Sequence, residues 1–118
     1  VCVPISRLAD CIAETHEDIA RSGLVAPIVG HVGDGNFHVS IMAMTEDAEE
    51  MARTKAFIDR LNHRAIAMDG TCTGEHGIGE GKRSFLRDEL GITVDYMRRL
   101  KATLDPHAIM NPGKVFEA

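Results

Sequence analysis

The stretch HVGDGNFH, which begins at His31, constrains the fold most strongly because it predicts a tight β-hairpin. Gly and Asn tolerate the positive φ angles of tight turns, and apolar runs flank the stretch on both sides. With a loop at Gly33–Asn36, Val32 would face Phe37 and His31 would face His38. Directly paired residues point to the same face, with Cβ atoms roughly 5 Å apart. Two such imidazoles could hold one metal ion, or they could form a polar pair on a solvated sheet face.

The runs around this turn are rich in β-branched residues and predict strands over 24–32 and 37–44. Two strands do not form a stable sheet alone. We therefore expect further strands from Val1–Ile5, from the C-terminal tail, or from a part of the protein outside this sequence. The predicted fold class is α+β, an antiparallel sheet that includes the hairpin and is covered by helices.

Two long helices are predicted on either side of the hairpin. The first runs from Ser6, a plausible N-cap, to Arg21, and Gly23 should end it. The second begins at Thr45, which has acidic residues in the following turn, and is closed by Gly70. Its apolar positions, expected to face inward, are Met51, Phe57, Ile58, Leu61, Ala65 and Met68.

A glycine-rich loop over 70–82 separates these elements from two shorter predicted helices. The first begins at Arg83 and is closed by Gly91, and the second is capped by Thr93 and ended by Pro106. Residues 111–116, NPGKVF, predict a turn followed by an extended segment. The residues of the last helix that are expected to face inward are Tyr96, Leu100 and Leu104.

Composition excludes several classes of function. The 118 residues are enough for one domain, and 44% apolar with 26% charged residues is typical of a soluble globular protein. A net charge of −5 and the absence of Trp argue against a nucleic-acid surface. The three cysteines lack CxxC spacing, which favours a reducing compartment. Because the chain opens at Val1 on an apolar run, we expect a fragment of a longer protein, with a processed mature chain as the alternative.

The glycine-rich loop carries GEHG, in which Glu75 and His76 are adjacent. Glu75 could add a third ligand to the histidine pair, and two histidines with one carboxylate leave coordination positions open for a substrate. Adjacent residues of an extended loop point in opposite directions, so His76 would lie beside the metal, where a general base is needed. The alternatives are a mobile surface loop and a phosphate cradle, but the loop fails the phosphate-loop and dinucleotide patterns.

Three blocks, VGHVGDGNFH, GTCTGEHGIGEGKR and LKATLDPHAIMNPGKVF, resemble the C-terminal segment of FAD-linked D-2-hydroxy acid dehydrogenases. Within that family the similarity is strongest to the D-lactate dehydrogenases that pass electrons to cytochrome c. The resemblance implies that residues 1–118 are the C-terminal part of a substrate and metal domain, without the FAD-binding domain. It also implies site residues with these roles: the metal ligands His31, His38 and Glu75, the proton acceptor His76, and Asn111 near the flavin.

The resemblance further implies oxidation of a D-2-hydroxy acid, D-lactate, to the 2-oxo acid. A divalent metal, Zn²⁺ or alternatively Mn²⁺, would polarise the hydroxyl, His76 would take its proton, and FAD would take the hydride. The implied partners are the FAD domain of the parent chain and an electron acceptor such as cytochrome c, a quinone or electron-transfer flavoprotein, with no nucleic acid. The implied location is the cytoplasm, with membrane association as an alternative, or the mitochondrion in a eukaryote. The fragment alone is expected to be inactive.

Two alternative functions remain open from the sequence. Relatives that oxidise D-2-hydroxyglutarate carry Asn two residues after the second histidine, where this chain has Ser40, which disfavours a dicarboxylate substrate. A related dehydrogenase acting on D-2-hydroxyglutarate or glycolate is nevertheless the first alternative. The second is a non-catalytic metal-binding module, which would need a closing fourth ligand, and Cys72 is the candidate nearby.

Overall fold

The computed structural model of the protein describes residues 1–116. Two compact units make up this part of the chain, the first comprising Val1–Glu75 and the second beginning at His76. The elements of the first unit are α1 (Ile5–Ser22), β1 (Ile28–His31), β2 (Asn36–Val39) and α2 (Ala48–Ala67). Those of the second unit are α3 (Arg83–Leu90) and α4 (Thr93–Leu104). Helices with an antiparallel hairpin confirm the predicted α+β class.

The hairpin forms where it was predicted, but its register differs by two residues. His31 pairs with Asn36 instead of with His38. The turn begins at Val32, one residue earlier than expected, as a single 3-10 turn, and Gly35 closes it with φ +72°. The predicted opposition of the two histidines was therefore wrong, because the residue expected to form the last strand pair belongs to the turn.

Both strands are shorter than predicted. Regular pairing begins at Ile28 because Pro27 has no N–H to donate to the ladder. Two single hydrogen bonds continue the pairing of the two strands, in the same register, on the other side of Ile28. The Ser40 amide donates to the Pro27 carbonyl at 2.9 Å, and the Met42 amide donates to the Val25 carbonyl at 2.9 Å.

The first residues of the chain extend this sheet, as one of the predicted options requires. Cys2 forms antiparallel bridges both to Asn36 and to Thr71. The Cys2 amide donates to the Thr71 carbonyl at 3.0 Å, and the Thr71 amide donates back at 2.8 Å. The segment Val1–Val3 thus lies between β2 and the start of the glycine-rich loop, and connects them through backbone hydrogen bonds.

The ends of the long helices follow local capping chemistry. Pro4, not Ser6, is the N-cap of α1, and Gly23 ends it in the left-handed conformation, as predicted. Helix α2 begins after Asp47, not Thr45, because the Asp47 carboxylate accepts backbone N–H bonds from two residues of the first turn, at 2.9 and 3.0 Å. One Asp47 side chain accepts both bonds, and this explains why α2 begins later than predicted.

The core of the first unit lies between α1, α2 and the hairpin. The predicted inward positions of α2 are confirmed at four places and wrong at two, since Met51 is 39% and Ile58 is 40% exposed. The helix presents a narrower apolar face than its sequence indicates. The buried cluster consists of Val3, Leu8, Cys11, Leu24, Phe37, Phe57, Leu61, Ala65 and Met68.

A buried carboxylate also joins the two long helices. Asp18 of α1 is 1% exposed. Its oxygens accept hydrogen bonds from Arg60 Nη2 at 2.8 Å, from Arg60 Nε at 3.1 Å and from Arg64 Nη2 at 2.7 Å. Burial raises the pKa of Asp18, but the hydrogen bonds and charges of the two arginines outweigh it and hold that pKa below its ordinary value.

In the second unit, α3 ends at Gly91 and α4 ends before Pro106, as predicted. The predicted cap of α4 was wrong, because Thr93 is the first helical residue and Ile92 is the N-cap. Phe85, Leu86 and Val94 are buried. The prediction for the inward face of α4 was wrong, because its stripe of apolar residues points to solvent. The exposed fractions are 62% for Tyr96, 61% for Leu100 and 69% for Leu104.

The NPGK turn forms, with the Lys114 amide donating to the Asn111 carbonyl at 3.2 Å. The extended segment predicted after it was wrong for the described residues, since Val115 has φ +65° and the chain bends there. Within residues 1–116, every helix is too short or too polar to cross a bilayer.

Candidate metal centre

Three predicted side chains converge in the first unit. One ligand atom each from His31, His38 and Glu75 lies within 4.8 Å of the others. The Glu75 carboxylate faces both rings: its Oε1 is 3.4 Å from His38 Nε2, and its Oε2 is 3.8 Å from His31 Nε2. The ring centroids of the two histidines are 6.1 Å apart and nearly perpendicular.

The pleat of the hairpin explains why both imidazoles share a face. His38 pairs with Val29, and His31 pairs with Asn36, so the histidines are diagonal neighbours. Side chains alternate faces with a period of two along each strand, and diagonal neighbours on one face remain within reach of long side chains. A two-residue change of register therefore keeps the histidines together, although it removes their direct opposition.

The loop after α2 brings Glu75 to this face. Thr71 is fixed to Cys2 by the paired backbone hydrogen bonds described above. Gly74 then turns the chain with φ +55°, and a Cβ there would lie 2.7 Å from Asn36 Oδ1. A glycine is needed at this position, both for the left-handed backbone and for the close approach to β2.

The three side chains are accessible to solvent. His31 is 63%, Glu75 is 49% and His38 is 28% exposed. Ligands at a closed structural site are surrounded by protein, whereas catalytic sites leave coordination positions for water or substrate. The exposure of this cluster matches a site that leaves coordination positions for water or substrate.

The donor set fits a divalent transition metal. Zinc is bound by histidine nitrogen and carboxylate oxygen at about 2.1 Å, so neighbouring ligand atoms around a tetrahedral ion lie roughly 3.4 Å apart. The 3.4 Å between His38 Nε2 and Glu75 Oε1 matches this value, and the 3.8 Å between His31 Nε2 and the other carboxylate oxygen, Oε2, is slightly longer. Two imidazoles and one carboxylate are also the ligands that zinc and manganese accept.

The other two predicted site residues are not part of the first unit. His76 and Asn111 belong to the second unit, and both side chains are exposed. Their roles as base and flavin neighbour stay predictions. Cys72 is fully buried, and within residues 1–116 it is not among the side chains that gather around a common metal position. The structure thus gives no support to Cys72 as a closing fourth ligand.

Sequence reasoning assigned Asn36 to the turn and overlooked its side chain. Asn36 Nδ2 donates to Glu75 Oε2 at 2.9 Å. The signal was present in the sequence, because Asn36 precedes His38 by two residues and must share its face once both are in one strand. Placing Asn36 in the loop concealed this.

Comparison of the sequence with known proteins places the chain among FAD-linked enzymes. Residues 1–115 match the C-terminal domain of the FAD linked oxidases. The chain is 56% identical over 99% of its length to the Danio rerio protein named "Probable D-lactate dehydrogenase, mitochondrial". It is 46% identical over 98% of its length to the mitochondrial D-lactate dehydrogenase (cytochrome) of Arabidopsis thaliana, and 36% identical over 97% to a glycolate oxidase subunit of Bacillus subtilis. The chain spans 24%, 20% and 24% of these relatives, respectively.

Proposed function

Because the chain belongs to the family of FAD-linked oxidase C-terminal domains, we propose that it forms the metal- and substrate-binding part of a flavin-dependent D-2-hydroxy acid dehydrogenase. The observation that carries the proposal is the convergence of His31, His38 and Glu75 on one exposed face. Residues 1–118 are then the C-terminal part of a longer enzyme, and the FAD-binding domain is supplied by the rest of that enzyme.

The proposed ligands act through charge and position. His31 and His38 would offer neutral ring nitrogens, and Glu75 would offer one negative oxygen, so the site keeps a net positive charge after a divalent ion binds. Zn²⁺ is the proposed ion, with Mn²⁺ as the alternative. Such an ion, when bound, supplies Lewis acidity that lowers the pKa of a coordinated substrate hydroxyl.

His76 is the proposed general base. It follows Glu75 directly in the chain, and histidine is the side chain that changes protonation near neutral pH. Removal of the hydroxyl proton by His76 would leave electron density on the substrate oxygen and favour loss of hydride from the adjacent carbon. FAD, when bound by the rest of the enzyme, supplies the hydride acceptor. Asn111 is the proposed residue of this chain nearest the flavin.

D-lactate is the proposed substrate, to be oxidised to its 2-oxo acid. The relatives from Danio rerio and Arabidopsis thaliana, at 56% and 46% identity, are named D-lactate dehydrogenases, whereas the glycolate oxidase subunit is more distant at 36%. Ser40 is shorter than the Asn that D-2-hydroxyglutarate-oxidising relatives carry, which favours a small monocarboxylate. Cytochrome c is the proposed electron acceptor, and the mitochondrion the proposed location in a eukaryote, on the strength of the same relatives.

The proposed intramolecular partner is the FAD domain, and the second unit offers a surface for it. A groove of about 650 Å³ runs between α4 and the C-terminal turn. Apolar patches of this kind on a soluble protein mark interaction sites. The relatives are four to five times longer than this chain, since it spans 20–24% of them, so additional chain is available to cover it. The apolar residues that line the groove are Met97, Leu100, Leu104, Met110, Val115 and Phe116.

Metal analysis tests the first part of the proposal. The 118-residue chain, loaded with Zn²⁺ or Mn²⁺ and desalted, should retain about one ion per chain, and the double variant His31→Ala/His38→Ala should retain none. The matched control is His16→Ala/His63→Ala, which removes two helix-surface histidines. Retention of the ion by the first double variant, or its loss from the control, would contradict the assignment.

Turnover by the whole enzyme tests the second part. The purified full-length protein should reduce a dye acceptor with D-lactate at a higher kcat/KM than with glycolate or D-2-hydroxyglutarate. A preference for either competitor would replace the substrate assignment with the corresponding alternative. No turnover with any 2-hydroxy acid, together with tight metal binding, would instead favour a non-catalytic metal-binding module.

A further inference from the structure

We propose that Asn36 is a positioning residue that fixes the orientation of the Glu75 carboxylate at the metal position. This inference rests on the proposed metal site. Asn36 Nδ2 donates to Glu75 Oε2 at 2.9 Å, and the contact joins residues 39 positions apart in the chain. Glu75 is half-exposed on a loop, whereas Asn36 is 5% exposed in a strand. The buried side chain of Asn36 therefore holds the more exposed side chain of Glu75.

The backbone of Asn36 is fixed on both sides. It pairs with His31 in β1 and with Cys2 in the N-terminal segment, so the residue lies in the middle of three paired segments. A side chain on such a backbone has few accessible directions, and this one points to the face that carries the histidines. Asn36 can therefore transmit the geometry of the sheet to the loop.

The other side-chain atom of Asn36 supports a role beyond stability. Asn36 Oδ1 is buried, and within residues 1–116 it has no hydrogen-bond partner. Gly74 closes over it, since a Cβ at Gly74 would lie 2.7 Å away. A buried acceptor without a partner is unfavourable for folding. An asparagine here is explained by its N–H donor, which is directed at Glu75.

The chemistry of the amide suits this task. An aspartate at the same place would repel the Glu75 carboxylate, and a lysine or arginine would neutralise the charge that a cation needs. A neutral N–H donor binds Oε2 and adds no charge, so the carboxylate keeps its negative charge. Oε1 is the oxygen that lies 3.4 Å from His38 Nε2. Partners of this kind orient metal ligands in many proteins.

Zinc affinity of the 118-residue chain tests the inference. Competition with a chromophoric chelator should show a dissociation constant for Zn²⁺ about 10–100-fold higher in Asn36→Ala than in the wild type. Asn36→Leu, which keeps the branching at Cγ but has no donor, should show the same loss without a cavity. The matched control is Asn62→Ala in α2. Asn62 is also buried, its Oδ1 has no hydrogen-bond partner among residues 1–116, and its Nδ2 donates to the Ile58 carbonyl. Asn62→Ala should leave zinc affinity unchanged.

A double-mutant cycle with Glu75→Ala separates the inference from the proposed function. If Asn36 acts through Glu75, then Asn36→Ala should weaken zinc binding in the wild type and have no further effect in the Glu75→Ala background. No loss of affinity in Glu75→Ala would overturn the metal site itself. A loss in Glu75→Ala with wild-type affinity in both Asn36 variants, or with the same Asn36 effect in both backgrounds, would overturn only the positioning role.

A measurement on the wild type serves if both Asn36 variants fail to fold. In the ¹⁵N-labelled chain, the side-chain NH₂ resonances of Asn36 should shift when one equivalent of Zn²⁺ is added, while those of Asn62 stay in place. Unchanged Asn36 resonances in a chain that binds zinc through Glu75 would contradict the proposal.

Discussion

Replacement of Asp18 by Asn should destabilise the first unit, because the buried Asp18 carboxylate of α1 accepts hydrogen bonds from two arginines of α2, Arg60 and Arg64. The amide has nearly the same shape but no charge. It also places an N–H group where the carboxylate accepted hydrogen bonds, so one donor would face the guanidinium donors of Arg60 and Arg64.

The expected loss of unfolding free energy depends on how exposed Arg60 and Arg64 are. Breaking a buried ion pair by removing one partner costs about 3–5 kcal/mol. Arg60 is 46% exposed and can return to water, whereas Arg64 is 11% exposed. Arg64 retains Glu14 at 3.3 Å and Thr15 at 3.1 Å. Because water can solvate Arg60 and Arg64 keeps two other partners, we expect the lower end of the range, about 3 kcal/mol.

The pH dependence of the unfolding free energy gives a second, independent prediction for Asp18→Asn. The pKa of Asp18 is lower in the folded chain than its ordinary value. A group of this kind stabilises the fold fully above its unfolded pKa, near 3.9, and loses that contribution as the pH falls toward the folded pKa. The difference in unfolding free energy between wild type and Asp18→Asn should therefore be constant from about pH 5 to 7 and shrink below about pH 4.

Urea denaturation followed by circular dichroism measures both effects. With a slope near 2 kcal/mol/M, a loss of about 3 kcal/mol lowers the midpoint by roughly 1.5 M at pH 7. The control is Asp10→Asn on the same helix, where the carboxylate is 67% exposed and 3.8 Å from Arg7. This variant should change the free energy by less than about 0.5 kcal/mol. Equal effects of the two substitutions, or a gap that widens below pH 4, would refute the reasoning.

Three further predictions follow from the site and the fold. In the full-length enzyme, His76→Ala should lower kcat about 10²–10⁴-fold while metal content is retained; loss of metal from this variant would show that His76 is a ligand. Gly35→Ala should destabilise the chain by at least about 1 kcal/mol in urea, because Gly35 has φ +72° and its Cβ would lie 2.1 Å from the Val3 carbonyl oxygen. Gly33→Ala, with open space around it, is the control. The 118-residue chain alone should show no flavin absorbance and no dye reduction with D-lactate, and turnover by it would mean that the electron acceptor lies within this sequence.

Local sequence signals predicted the elements well where one residue determines the backbone. Gly23 and Gly91 end α1 and α3, since a left-handed or otherwise unusual backbone suits glycine. The start of α2 was placed at Thr45 because its hydroxyl also fits a cap, but Asp47 is the better acceptor. A helix start is misplaced by two residues in this way when two nearby side chains can both act as the N-cap.

Periodicity alone could not determine which apolar faces are covered. Leu61 and Tyr96 were both predicted from helical spacing to face inward, yet Leu61 is 8% and Tyr96 is 62% exposed. Leu61 belongs to the core shared by α1, α2 and the hairpin. An amphipathic pattern shows that a face can be buried, and the partner that buries it is decided by the rest of the fold.

The sequence determines the relative position of His31 and His38 more directly than it determines the position of Glu75. Alternation along two adjacent strands places His31 and His38 on one face for any register change of an even number of residues, so the prediction survived a wrong pairing. The position of Glu75 depends instead on Cys2, which pairs with both β2 and Thr71. No local pattern encodes contacts between such distant segments. Because Val1–Val3 supplies that connection through backbone groups, the geometry of the proposed metal centre depends on a segment that contributes no ligand to it.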